Sequence, residues 1–179
     1  MNTLYLFPTR EEAAELLTRR ADLKPQVGFV GVGMAEAGAN ASALIARHRP
    51  QRVVLCGIAG SCDRALIKVG DVVQVESDRV VGLPEKYSIE YGSSTVEGLC
   101  RVQGLTVSRT GESLPAAASN IPCIEQMEGA AVAAACRAMG VEEYIHLRAI
   151  SNYVDDDRSA WRIKEAVKAL GERIAELNL

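Results

Sequence analysis

Histidine is scarce in this sequence: there are two, His48 and His146, far apart in the chain. A zinc site is therefore not expected, since such sites draw on clustered Cys and His ligands. The five cysteines (Cys56, Cys62, Cys100, Cys123 and Cys136) form an odd set with no C-x-x-C pair. No signal-peptide pattern opens the chain, so they read as reduced thiols of a cytoplasmic protein. No basic run or stripe is present and the net charge is −3, which argues against a nucleic-acid surface. No apolar run approaches the length of a membrane span, so no membrane role is expected.

What is present is ordinary globular material. The chain has 179 residues, 48% hydrophobic and 24% charged, the profile of one domain spanning residues 1–179. A chain of this size buries roughly 70% of its unfolded surface.

Strand and helix patterns alternate along it. Thr3 to Phe7 is an apolar strand broken by Pro8. Thr9 and Glu12 then fit a capping box that opens a helix to about Arg20. Val27 to Val30 is a strand ending in Gly31-Val32-Gly33, with a helix from about Ala35 to Arg47. A dinucleotide fingerprint, G-x-G-x-x-G, would need glycine where Glu36 stands, so a nicotinamide-dependent oxidoreductase is not expected and no cofactor is implied. Arg52 to Cys56 is a continuous apolar strand followed by Gly57-Ile58-Ala59-Gly60-Ser61, which reads either as a tight turn or as backbone bared for a flat ligand. Val72 to Glu76 and Leu105 to Ser108 read as strands. Residues 79–103, rich in Gly, Ser and Pro, read as a loop with one short strand, and Thr110 to Ser119 as another loop. Tyr87 and Tyr91 could offer rings to a ligand or simply pack on the surface. Ile121 to Glu125 is a short strand, Glu128 to Met139 an alanine-rich helix and Tyr144 to Ile150 the last strand. Asp155-Asp156-Asp157 then precede a helix from about Ser159, striped by Ile163, Ala166, Val167, Leu170, Ile174 and Leu177. The alternation predicts an α/β fold, a three-layer αβα sandwich around a mixed, largely parallel central sheet. In such sheets ligands bind beyond the carboxyl ends of the strands. Pro8 to Glu12, Gly31 to Met34, Gly57 to Ser61 and Ser151-Asn152 all fall there, which argues for one site built from separated segments.

Glu128 stands in the first turn of its helix. One reading is a charge favoured by the helix dipole. The other is a carboxylate that accepts both hydroxyl hydrogens of a ribose 2′,3′-diol. Met127-Glu128-Gly129-Ala130-Ala131, followed by Arg148-Ala149-Ile150-Ser151-Asn152, resembles the purine nucleoside phosphorylase/nucleosidase superfamily. The similarity extends to Val30-Gly31-Val32-Gly33, Gly57 to Ser61 and Val69-Gly70-Asp71-Val72-Val73, all in the family's order. The run Ile150-Ser151-Asn152-Tyr153-Val154 is similar to that of futalosine hydrolases. The sequence departs from the family in its middle. The usual insertion after the Gly-Asp-Val-Val strand is shortened, and Arg109-Thr110-Gly111-Glu112 stands where an aromatic is common.

The resemblance implies a nucleosidase that cleaves the N-ribosidic bond of a purine nucleoside. Glu12, with Glu11 as the alternative, would activate the attacking water, although Glu12 reads equally well as a helix cap. Asn152 would bond the purine near N7, where enzymes acting on adenine nucleosides carry aspartic acid. The alternative for Asn152 is a hydrogen bond to its own backbone. Met127, Glu128, Ala59, Gly60 and Ser151 would line the substrate site, and a homodimer is the family's usual assembly. Phosphorolysis needs a cationic cradle. The family's phosphorylases carry arginines in the early glycine loop and before the third-strand glycine, where this chain has Gly31 to Met34 and Cys56. Water is thus the expected acceptor. A phosphorylase, or a catalytically weak nucleoside-binding protein of the same fold, is the alternative.

Overall fold

The computed structural model describes residues 1–111, 122–177 and 179. The expected loop at 110–119 therefore falls largely outside the described residues, as do Glu112 and the start of the strand expected from residue 121. The strands are β1 (Thr3–Phe7), β2 (Val27–Phe29), β3 (Arg52–Ser61), β4 (Val72–Val80), β5 (Tyr91–Gly92), β6 (Cys100–Thr106), β7 (Cys123–Gln126) and β8 (Glu143–Tyr153). The helices are α1 (Arg10–Arg19), α2 (Met34–His48), α3 (Gly129–Ala138) and α4 (Ile163–Leu177).

The expected α/β class with a mixed sheet is what the chain forms. Strand β3 pairs in parallel with β1 and β8, and β1 with β2. Strand β4 runs parallel to β6 but antiparallel to β8, and β7 runs parallel to β6 but antiparallel to β3. Those pairings return to their starting point: β3, β7, β6, β4 and β8 close a ring. The flat middle layer of a three-layer sandwich is thus replaced by a closed barrel at this end of the sheet. The physical cause is visible in the core. Ala59, Val73, Val75, Val102, Ile124 and Ile150, contributed by all five ring strands, pack on one another inside. A ring so narrow is filled by its own side chains.

Outside the ring, strand alternation sorts the remaining core. Tyr5, Phe7, Val54 and Cys56 pack with Leu16 of α1 and Ala166, Leu170 and Ile174 of α4. Leu4, Leu6, Val53 and Leu55 point the other way and pack with Ala41 and Ile45 of α2 and Val132 and Ala135 of α3. Each fully buried Leu or Ile contributes about 1.5–3 kcal/mol.

Several boundaries differ from expectation. Strand β3 runs through Gly57 to Ser61, so the tight-turn reading of that stretch is wrong. Pairing with β8 on one side and β7 on the other holds it extended. Strand β8 continues past Ile150 to Tyr153, and β6 occupies residues read as loop. The C-terminal helix starts at Ile163, after a short 3-10 turn at Arg158–Ala160. Asp157 caps that turn through Ser159 N–H, while Asp155 and Asp156 pair with Arg64. No described helix is long and apolar enough to cross a membrane.

Candidate active site

A cavity of about 240 Å³ opens at the strand ends, lined among others by Glu11, Glu12, Ala59, Gly60, Met127, Glu128, Ser151 and Asn152. Glu12, Asn152, Met127, Glu128, Ala59, Gly60 and Ser151, the residues that the resemblance assigns to the site, therefore all line one space, as does the alternative Glu11.

Thr9 is the N-cap of α1, its hydroxyl accepting Glu12 N–H. Glu12 does not complete a capping box. Its Oε1 accepts the Thr9 hydroxyl at 2.9 Å, and its Oε2 accepts Ile58 N–H across the site at 2.9 Å. Glu12 is buried, whereas Glu11 is exposed at the rim. Burial raises the Glu12 pKa above the usual carboxylate value, opposed by the Arg148 charge, the Ile58 amide and the Thr9 hydroxyl.

Glu128 is the N-cap residue of α3, yet its side chain caps nothing there. Gln126 Oε1 accepts the N–H groups of Glu128 and Gly129 at 2.8 and 2.6 Å, and the Thr106 hydroxyl accepts Ala130 N–H at 2.9 Å. The orphan amides of the helix start are thus satisfied from β6 and β7. The Glu128 carboxylate is left to accept Gly33 N–H at 3.1 Å and Arg148 Nη1 at 3.2 Å.

Arg148 is 1% exposed, and a buried guanidinium must be paired to be tolerated. Besides Glu128 it donates to the Ile58 carbonyl, to Gln126 Oε1 and, through Nε, to His146 Nε2. The last bond makes Nε2 an acceptor, so the neutral imidazole carries its proton on Nδ1, 3.7 Å from Asp78 Oδ2. Burial, with the Arg148 charge beside it, holds the His146 pKa well below the usual imidazole range. Burial pushes Asp78 up to about 6, against the hydrogen bond from Thr106. Two glycines make room for this cluster. A Cβ at Gly57 would lie 2.4 Å from Arg148 Nη1 and 2.8 Å from Glu12 Oε2. A Cβ at Gly129 would lie 1.9 Å from Asp78 Oδ2.

Ser151 and Asn152 reach the cavity through a bulge: the β3–β8 register passes from Ala59–Ile150 to Gly60–Asn152. Such an extra residue re-aims side chains next to sites. Ser151 Oγ donates to Asn152 Oδ1, and Asn152 Nδ2 donates to the Tyr153 carbonyl, so the local backbone bond considered above is made. The amide keeps a second N–H.

Sequence reasoning missed three side chains. Arg148 was legible as a charge inside an apolar strand. Glu125, 4% exposed, lines the cavity and accepts Gly111 N–H at 2.7 Å. Trp161 lines it too, under the Arg158 guanidinium at 4.0 Å, with its Nε1 unpartnered among the described residues. It puts an aromatic ring on the cavity wall, from a segment whose sequence carries no signal for it. Tyr87 and Tyr91 do not line the cavity.

No protein-family model matches the chain. It is 32% identical over 184 residues to the futalosine hydrolase of Thermus thermophilus, covering 84% of this chain and 81% of that one. Its fold is that of a mutant 5′-methylthioadenosine/S-adenosylhomocysteine nucleosidase of Helicobacter pylori with 5′-methylthioadenosine in the active site. The TM-score is 0.81 at 16% identity, over 99% of this chain and 97% of the other. A futalosine hydrolase mutant from the same organism gives 0.79 at 16% identity, over 99% of both chains. The Arabidopsis thaliana 5′-methylthioadenosine nucleosidase gives 0.81 at 16%, over 98% and 93%. The chain belongs to the purine nucleoside phosphorylase/nucleosidase superfamily.

Proposed function

We propose that the chain is a nucleosidase that hydrolyses the N-ribosidic bond of a purine nucleoside, a futalosine-like 6-oxopurine nucleoside being the favoured substrate. The observation that carries this reading is the division of labour at α3. Because Gln126 and Thr106 cap the helix, the Glu128 carboxylate faces the cavity with lone pairs for a vicinal diol. Cleavage builds oxocarbenium character on the sugar and negative charge on the leaving base. Glu12, whose raised pKa makes it a better base than an ordinary carboxylate, takes a proton from water. Glu128 grips the 2′,3′-hydroxyls, Met127 and Ala59 line the site, and the second N–H of Asn152 bonds the purine near N7.

Water as the acceptor is supported by the state of the cations. Arg148 is committed to Glu128, Ile58, Gln126 and His146, and Arg158 lies over Trp161. Neither forms the cradle that phosphate requires. A homodimer belongs to the same proposal: Val32 lines the cavity yet is 55% exposed, as a wall covered by a neighbour would be.

The test is a panel of purine nucleosides incubated with and without phosphate, with free base followed by chromatography. Base release independent of phosphate is expected. Release that needs phosphate would make the chain a phosphorylase, and binding without release would leave a nucleoside-binding protein.

A further inference from the structure

One buried side chain stands behind the site without reaching it. His146 is fully buried and does not line the cavity. It shares a face of β8 with Arg148, two residues on. The imidazole is poorly matched where it lies. Its Nδ1 has no hydrogen-bond partner among the described residues. Asp78 Oδ2 is 3.7 Å away and already accepts Gln126 Nε2 at 2.8 Å. A buried polar group left so costs stability, so packing does not account for a histidine here. The side-chain hydrogen bond the ring does make is to Arg148, whose Nε donates to Nε2 at 2.8 Å.

That bond decides where the guanidinium points. The group is a rigid planar fork of N–H donors. Nη1 donates to the Ile58 carbonyl and to Glu128 Oε2, and Nη2 donates to Gln126 Oε1. Those acceptors hold the outer end of the fork, and His146 holds the Nε edge. Glu12 stands against the same Nη1. A Cβ on Gly57 would meet Nη1 at 2.4 Å and Glu12 Oε2 at 2.8 Å, so both atoms crowd one point. Ile58 ties them together as well, its N–H donating to Glu12 and its carbonyl accepting from Arg148.

Resting on the nucleosidase reading, we propose that His146 is a positioning residue: by accepting from Arg148 Nε it fixes the guanidinium that Glu12 and Glu128 both face, and so holds the positive charge against the water-activating carboxylate. Arg148 is the cation that lowers the proton affinity of Glu12 against its burial, while the Glu128 charge raises it. The Cys56 thiol of β3 is pushed far up by burial and stays neutral. On its other side His146 faces Asp78 of β4 and the Tyr144 ring of its own strand. Burial keeps the imidazole neutral and Tyr144 a phenol. What His146 can move at Glu12 is therefore the Arg148 charge. With that charge in place, Glu12 is in its base form down to lower pH.

The experiment compares the wild type with His146→Gln, His146→Leu and His146→Asn. A glutamine amide sets an acceptor where Nε2 stands. Leucine has none, and an asparagine amide stops short of Arg148. The pH profile of kcat on inosine is measured, and the Glu12 carboxyl is titrated by carbon-13 NMR, its signal assigned with Glu12→Gln. In His146→Leu and His146→Asn the rising limb of kcat and the NMR midpoint should both move up by roughly half a pH unit or more. His146→Gln should return both to the wild-type position. A role in the fold alone would lower stability and leave both midpoints in place. Midpoints unmoved or moved down overturn the proposal, as does a His146→Gln protein that titrates like His146→Leu. The wild type supplies a check that needs no variant to fold. A nitrogen–nitrogen coupling across the bond from Arg148 Nε–H to His146 Nε2 is expected, and its absence, with Nε2 protonated, overturns the assignment. If no nucleoside is cleaved, the hydrolase reading fails on its own, and the NMR midpoints still decide His146.

Discussion

At Glu12, burial raises the proton affinity of the carboxyl group while Arg148, the Ile58 amide and the Thr9 hydroxyl pull it down again. The base form is needed to take a proton from water, so kcat should rise with pH through a value above the ordinary carboxylate range. Glu12→Ala should abolish base release at a stability cost of about 1 kcal/mol, because Thr9 still caps the helix. Glu11→Ala, at an exposed position, should leave release intact; the reverse pair of results would transfer the role to Glu11. Glu128 is tested by sugar chemistry instead. Glu128→Gln should weaken ribonucleoside turnover by about 1.5–3 kcal/mol, the worth of a charged hydrogen bond, and spare 2′-deoxyribonucleosides by comparison. Loosening the Arg148 pair affects both sugars alike, so the ratio isolates the diol. Equal losses on both sugars would leave Glu128 a structural partner of Arg148.

Helix α3 joins site and scaffold, because its start is capped from neighbouring strands. Gln126→Ala would strip Glu128 and Gly129 of their acceptor and leave Arg148 Nη2 and Asp78 short of a partner. A lost cap costs about 1 kcal/mol and a buried unsatisfied group about 1–3. Urea unfolding should therefore show a loss of roughly 2–4 kcal/mol, with KM raised as Glu128 loses its anchor. A loss below 0.5 kcal/mol, roughly the effect of a surface change, would mean that water replaces Gln126 and the cap is dispensable. Helices of this kind were the legible part of the chain. Thr9 announced α1, and the stripe through Ala166, Leu170 and Ile174 announced α4, because cap and period are local signals. Strand β3 beyond Cys56 was not legible. Gly57 and Gly60 look like turn residues, and only pairing on both sides keeps them extended. The ring closure was invisible for the same reason: it depends on Val72 meeting Ala149, a contact 77 residues apart that no window of sequence contains. Of the site, the motif carboxylates were readable, whereas Glu125 and Trp161 acquire meaning only from the register and chain path that bring them to the cavity.

The closed ring buries charge as well as apolar surface, and this sets how the whole molecule responds to acid. Asp78 of β4, Thr106 of β6, Gln126 of β7 and His146 and Arg148 of β8 interlock at the junction, with the Tyr144 ring 6.1 Å from the imidazole and Glu128 on the far side of Arg148. Asp78 titrates at about 6 in the fold against 3.8 for a free carboxyl, so the folded chain takes up that proton first. This group therefore adds stability as pH falls from about 6 towards 3.8. His146 works in the opposite direction. Its folded pKa lies well below 6.5, so the unfolded chain is protonated first, and stability is lost as pH falls below 6.5. Each slope reaches at most about 1.4 kcal/mol per pH unit, and over the shared window the two offset one another. Glu12, also raised, adds to the Asp78 side in every protein compared. His146→Gln, which keeps an acceptor for Arg148 Nε, should therefore make Tm rise relative to the wild type between pH 6.5 and 5. Asp78→Asn should make it fall over the same interval. Calorimetric Tm profiles of the three proteins decide the matter. Parallel curves would mean that neither group changes protonation on unfolding, and the junction would then owe its integrity to hydrogen bonding and packing rather than to balanced titration.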